Sequence, residues 1–220
     1  MNFVELQNLT AYWLDDIDFG YFKPIQVKLW LNNAQKEVQK MLLQSRANFY
    51  LTPVQTTLVV NQNDYVLPND FMTVHRAEVV MSGSPPNESL SPIAPMTLNQ
   101  QDLVPNGTGT PRYYFLKKNR IRIYPAPDTA LTFRLHYSYA VSDMVNDTDQ
   151  PDVPSSYHEM LAVLATIDGL MKDGRDVQPM LAKRGYFENL LKQETQDRNE
   201  DAPRSIVQTG GDYSGSSIFF

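Results

Sequence analysis

The hydrophobic period of this chain changes twice, from helical to alternating and back, and no other feature limits its fold so tightly. Up to about residue 46, apolar side chains return every three or four residues. Between Thr52 and Ala140 they alternate, and beyond Ser156 the helical step resumes. A helix buries a stripe and a strand buries one face, so the two patterns cannot share an element. The chain is expected to be α+β, with two helices on each side of a β region.

The first helix reads from Phe3, Leu6, Leu9, Trp13 and Ile17, and Asp15, Asp16, Asp18 and Gly20 end it. Pro24 opens the second, in the first turn, where a missing N–H costs nothing. Val27, Leu31, Ala34, Val38, Met41 and Leu42 continue it as an apolar stripe to about Arg46. On the C-terminal side, Ser156 and Glu159 make a capping-box pattern ahead of Met160, Leu161, Leu164 and Ile167. Gly174 is the expected stop. Asp176 is placed to cap a fourth helix carrying Met180, Leu181, Phe187, Leu190 and Leu191.

The alternating region predicts strands at Val54–Val60, Tyr65–Leu67, Phe71–Met81, Arg112–Lys117, Arg120–Tyr124 and Leu131–Tyr139. Stretches from Ser82 to Pro86 and from Asn106 to Pro111 are turn chemistry, and a helical turn is expected from Met96 to Leu103. No intervening segment is long enough for several crossover helices, so the sheet is expected to be antiparallel. The architecture predicted is a four-helix body, residues 1–50 and 143–195, with an antiparallel β domain inserted at 51–142 and an extended tail at 196–220. Gln196 to Ser217 has Asp, Asn, Glu, Pro, Ser and three Gly and almost nothing to bury, before the chain reaches Ile218-Phe219-Phe220. By composition alone such a tail does not order itself.

Few residues suggest chemistry. The absence of cysteine excludes disulfides, thiolate catalysis and thiolate metal sites. His75, His136 and His158 lack the spacing of a metal site. There is no G-x-S-x-G elbow, and Asn106-Gly107-Thr108-Gly109 lacks the lysine and following helix of a phosphate loop. Two acidic clusters, Asp15, Asp16, Asp18 and Asp143, Asp147, Asp149, Asp152, offer paired carboxylates of the kind glycoside hydrolysis uses. They fall at helix edges and in loops, where carboxylates stay solvated or cap. No catalytic residue, cofactor or metal is therefore expected. The longest apolar run of the later helical region, Met160 to Ala165, is far short of a bilayer span. With Lys23 as the first basic residue, no secretory leader is expected.

A formal net charge of −6 argues against wholesale wrapping of nucleic acid. The exception is local. Lys117, Lys118, Arg120 and Arg122 cluster at one turn beside Tyr113, Tyr114 and Phe115, and alternation puts Ile121 and Ile123 on one face with Arg120, Arg122 and Tyr124 on the other. This is a solvated strand face or an interface for an acidic partner or a nucleic-acid backbone. The 15 Asn and 14 Gln together outnumber the 25 acids. Amides are cheaper to bury between polypeptides than ions, which suits protein–protein contact, and biased composition accounts for them equally well.

Several short motifs occur in a telling order. Trp30-Leu31-Asn32-Asn33-Ala34-Gln35-Lys36-Glu37 lies on the second helix. Tyr65-Val66-Leu67-Pro68-Asn69-Asp70-Phe71 and Ile121-Arg122-Ile123-Tyr124-Pro125-Ala126-Pro127 follow, then Leu135-His136-Tyr137 and Pro151-Asp152-Val153-Pro154-Ser155-Ser156-Tyr157. Over about residues 1–195 this order resembles the head-to-tail adaptor proteins of short-tailed bacteriophages, also called connector or tail tubular A proteins. The resemblance implies a non-enzymatic virion protein at the head–tail junction, assembled in the host cytoplasm. It implies a dodecameric ring beneath the portal, joined below to a tail or nozzle protein, through which DNA passes without sequence-specific binding. It also implies that the C-terminal tail anchors on the portal, here through Ile206, Tyr213, Ile218, Phe219 and Phe220. Lys117, Lys118, Arg120 and Arg122 would then meet a tail protein or the channel wall. The alternatives are a cell-wall-degrading, lysozyme-like virion protein using the acidic clusters, and a cellular binding module unrelated to phage.

Overall fold

The computed structural model of the chain describes residues 1–44, 50–82, 89–97 and 107–200. Its elements run α1 (Phe3–Trp13), α2 (Pro24–Gln44), β1 (Leu51–Thr57), β2 (Asp64–Val66), β3 (Phe71–Ser82), β4 (Ser89–Pro92) and β5 (Ala94–Pro95). They continue with β6 (Tyr113–Lys117), β7 (Arg120–Tyr124), β8 (Thr132–Tyr139), a 3-10 turn (Ser155–Tyr157), α3 (His158–Asp173) and α4 (Gln178–Glu200). The fold is α+β, with four α-helices among the described residues and the strands between the second and third.

The helices share one apolar core. Phe3 and Leu6 of α1 and Val27, Leu31, Val38 and Leu42 of α2 bury their stripes against α3. α3 differs from its expected stripe: every residue from Met160 to Ile167 is buried. It is the hub, packed by α1, α2 and α4, so it is apolar nearly all round. This is not an even four-helix bundle. α4 buries Phe187 and Leu191, leaves Leu181 exposed, and reaches its other neighbours by long polar side chains: Arg184 to Glu37 of α2 at 2.9 Å, and Lys183 over the Trp13 ring of α1 at 4.1 Å.

The helix ends show which local signals acted. α1 starts on a capping box that the sequence reading missed, Asn2 and Glu5 exchanging 2.9 Å side-chain bonds with each other's N–H. It stops at Trp13, leaving Ile17 outside the helix and exposed, because the Asp16 carboxylate binds the N–H groups of Gly20, Tyr21 and Phe22. The Ser156/Glu159 box does not form. The 3-10 turn occupies those residues, no side chain caps α3, and Glu159 pairs instead with Lys183 at 2.6 Å. Gly174 ends α3 at φ 70°, in the left-handed region that glycine enters without penalty. The Asp176 carboxylate accepts from the Gln178 N–H at 2.9 Å, as its position suggested. The backbone of α4 continues to Glu200, past residue 196, where the tail was expected to begin.

The strands form two four-stranded sheets, β1-β8-β3-β4 and β2-β7-β6-β5. Their inward faces share a second core, with Leu58, Ala77, Val79, Phe133 and Leu135 from one side and Tyr65, Tyr114, Ile121 and Ile123 from the other. Four expectations change. β1 lies three residues earlier than Val54–Val60, paired with β8 from Leu51↔Ser138 to Thr57↔Thr132. β4 and β5 were missed because Pro92 and Pro95 interrupt pieces too short to show alternation. β5 runs parallel to β6, so the β region is not wholly antiparallel. Met96, expected in a helical turn, instead donates its N–H to the Tyr114 carbonyl at 2.9 Å; residues 98–103 of that turn lie outside the described residues.

Pro53 is tolerated mid-strand for a readable reason. The Leu58 N–H donates to Leu131 O across the β1–β8 ladder, so by alternation Pro53 points its nitrogen away from β8, to the edge of the sheet.

The two cores meet at Tyr139, which packs against both and lies edge-to-face with Tyr50 at 5.7 Å. Beyond it, the chain runs extended along α2. Asn32, Gln35 and Gln39, one face of that helix, bind this segment with both ends of each amide. Asn32 holds Met144 O and N–H at 3.0 and 2.9 Å, Gln35 holds Ser142 O and Asp152 N–H at 2.8 and 3.1 Å, and Gln39 holds Tyr139 O and Val141 N–H at 2.6 and 3.2 Å.

Candidate interaction surfaces

The cationic hairpin forms as the alternation required. β6 and β7 pair from Tyr113↔Tyr124 to Lys117↔Arg120, joined by the two-residue turn Lys118-Asn119. Ile121 and Ile123 enter the core while Tyr113, Phe115 and Lys117 line up with Tyr124, Arg122 and Arg120 on the outer face. Lys118 adopts φ 52°, a turn conformation that normally selects glycine or asparagine.

The four cations are not equivalent. Arg122 makes a two-pronged pair with Asp64 of β2, Nε to Oδ1 at 2.7 Å and Nη2 to Oδ2 at 2.5 Å, and its Nη1 lies 3.5 Å from the Tyr124 hydroxyl. The guanidinium holds the Asp64 carboxyl below its usual range, and the carboxylate and Tyr124 raise the guanidinium. Lys117, Lys118 and Arg120 form no ion pair with a described residue. Arg120 and Arg122 line a polar cleft with Asn61, Gln62, Asn63, Asp64 and Tyr124.

The acidic clusters are tied into the scaffold. Asp147 pairs with Lys28 at 2.8 Å, Asp143 with Lys36 at 2.6 Å and Asp15 with Arg175 at 2.9 Å. Asp149 accepts the N–H groups of Val145 and Asn146 at 2.8 Å. These bonds hold Asp147 and Asp149 below the usual carboxylate range, and the Phe22 N–H does the same for Asp16. A glycosidase acid needs the opposite, a carboxyl raised by an apolar pocket. Asp152 differs: its carboxylate accepts from the Tyr139 hydroxyl at 3.4 Å and has no ion-pair partner among the described residues.

The histidines serve three separate places. His158 is buried, with Nε2 at 3.0 Å from Val153 O and Nδ1 at 2.8 Å from the Met1 amine, and burial pushes its pKa down. His75 bonds Ser138 Oγ at 2.6 Å, and His136 lies 3.4 Å from Glu78. Among the described residues no group of three or more His, Asp or Glu is gathered for a metal. No described helix is long and apolar enough to cross a membrane.

Glu78 was not singled out by the sequence. It is buried on the outer face of the first sheet, ion-paired with Arg76, 3.4 Å from Arg134 directly across on β8, and close to His136. Within the predicted strand nothing local marks the position; only the pairing register shows three basic residues converging on it. The tail residues Ile206, Tyr213, Ile218, Phe219 and Phe220 lie outside the described residues.

Two cores joined at Tyr139 and carboxylates that hold loops make up the scaffold, and one sheet face carries cations without ion-pair partners among the described residues. The family model of the SU10 adaptor protein matches residues 1–209, and the chain belongs to that family. It is a bacteriophage head–tail adaptor, a structural protein of the virion, and membership implies contacts with portal and tail proteins at the head–tail junction. No curated protein matches the chain.

Proposed function

We propose that this protein forms a closed ring beneath the portal, joining capsid to tail and leaving a channel for DNA. The family match over residues 1–209 carries this reading. The fold supports it: the amide staples and the Tyr50–Tyr139 contact tie the helices to the sheets, as a joint under load requires. The ring is a dodecamer, and each subunit presents two different complementary patches.

The tail beyond Glu200 anchors on the portal through Ile206, Tyr213, Ile218, Phe219 and Phe220. Ordering such a tail lowers affinity per contact, and the ring restores it by repetition. The cationic hairpin is an assembly surface of the ring.

Light scattering of the purified chain with portal rings tests this, full length and truncated after Glu200 so that α4 stays intact. The full-length chain is expected to join portal in ring stoichiometry and the truncation to fail. A full-length chain that leaves portal mass unchanged overturns the reading.

A further inference from the structure

The free cations of the hairpin have a counterpart elsewhere on the molecule. At the junction of the two cores, Tyr50, Pro151, Asp152, Val153 and Pro154 line a cleft of about 240 Å³. Asp152 is exposed at its rim, and among the described residues no basic side chain pairs with it. Tyr50 lines the cleft at only 2% exposure, and its hydroxyl is without a hydrogen-bond partner among the described residues. Buried hydroxyls are almost always bonded, so an orphan beside an unpaired carboxylate marks a place built for an added donor. Proline walls and an aromatic ring beside a carboxylate suit an ammonium on an aliphatic stem.

That donor is available at the hairpin tip. Lys118 stands at φ 52°, where a lysine costs about 1 kcal/mol more than glycine. A strained, exposed, unpaired lysine at a turn is worse for the isolated fold than glycine, so its side chain has a use outside it. Charge is also divided along the chain: residues 51–142 hold seven basic against six acidic side chains, and the rest hold 12 against 19. No hairpin residue lines the cleft within one chain.

Resting on the ring reading above, we propose that the hairpin tip of one copy docks in the Tyr50–Asp152 cleft of the next, with Lys118 ion-paired to Asp152 and Lys117 and Arg120 at the rim. Such a contact joins unlike patches, so it propagates around a ring. It identifies the hairpin's neighbour as a second copy of this chain.

Charge exchange tests it on the full-length chain assembling on portal rings, followed by native mass. Lys118→Glu and Asp152→Lys should each weaken joining about tenfold, and the double variant should recover most of the loss. Lys118→Gly should weaken joining similarly while melting no lower than wild type, which separates docking from folding. Carbodiimide coupling should yield a Lys118–Asp152 cross-linked peptide between copies. Single variants that join like wild type, or a double variant without recovery, overturn the inference and leave the adaptor reading standing. A wild-type chain that does not join portal overturns both. Lys118→Gly rings of normal mass that retain less DNA would assign the hairpin to the channel and also overturn it.

Discussion

The side chain of Gln39 donates to the Tyr139 carbonyl at 2.6 Å and accepts the Val141 N–H at 3.2 Å, replacing the strand partner that β8 loses on leaving its sheet. A glutamine on a helix thus continues a β ladder. It satisfies two backbone groups at the point where the sheets hand the chain to the helices.

Truncating that amide strands both groups in a closed site, where each costs about 1–3 kcal/mol. Gln39→Ala should lower unfolding free energy by about 2–4 kcal/mol, while exposed Asn33→Ala on the same helix stays within about 0.5 kcal/mol. Urea midpoints decide it. Equal effects at both positions would show that the staple contributes nothing.

The Glu78 cluster makes a second forecast. Glu78→Ala leaves Arg134, itself 15% exposed, facing its empty position across the ladder. Breaking a buried pair from one side costs about 3–5 kcal/mol. Glu78→Gln, which keeps the shape and an acceptor, should lose clearly less, as read by thermal or chemical unfolding.

Acidification acts through His158. Burial depresses its folded pKa below 6.5, so the unfolded chain binds a proton that the folded chain resists. Its contribution is fully present above about pH 6.5 and is lost as pH falls toward the depressed value. Asp16, Asp147 and Asp149 are likewise depressed from 3.8, so their contribution fades only in a separate, more acidic window. Stability measured between pH 7.5 and 5 should fall in wild type and stay flatter in His158→Gln; parallel curves would refute the assignment.

Gly169 packs where α3 meets the end of α1. A Cβ there would lie 2.7 and 2.9 Å from the methyls of buried Leu14 and 3.3 Å from Trp30 Cζ3. Better helix propensity returns about 1 kcal/mol for Gly→Ala, against overpacking of about 1–3 kcal/mol. Gly169→Ala should be neutral to destabilising by about 2 kcal/mol, and combining it with Leu14→Ala should cost less than the sum of the two. Strict additivity in that double-mutant cycle would mean the two sites do not touch.

The sequence itself determined the order of the helices and the longer strands, the apolar and cationic faces of the β6–β7 hairpin and the glycine stop at Gly174. Each is a local matter: periods of 3.6 and 2 and the left-handed residue are written within a few neighbouring positions. Local signals failed where two were available and distant partners chose between them. Glu159 left its capping box for Lys183, and Ile17 was dropped from α1 when Asp16 collected three backbone N–H groups. The charged residues were the least legible. Arg122 and Lys118 look alike in sequence, yet the β2–β7 register sets Asp64 opposite Arg122, while Lys118 sits in the turn without an ion-pair partner among the described residues. The amides that suggested an outer contact surface were in part turned inward as staples, because only tertiary packing brings residues 32–39 alongside residues 139–152. Composition supplied the groups; which were consumed inside the fold and which remained for a partner was decided by contacts a hundred residues apart in the chain.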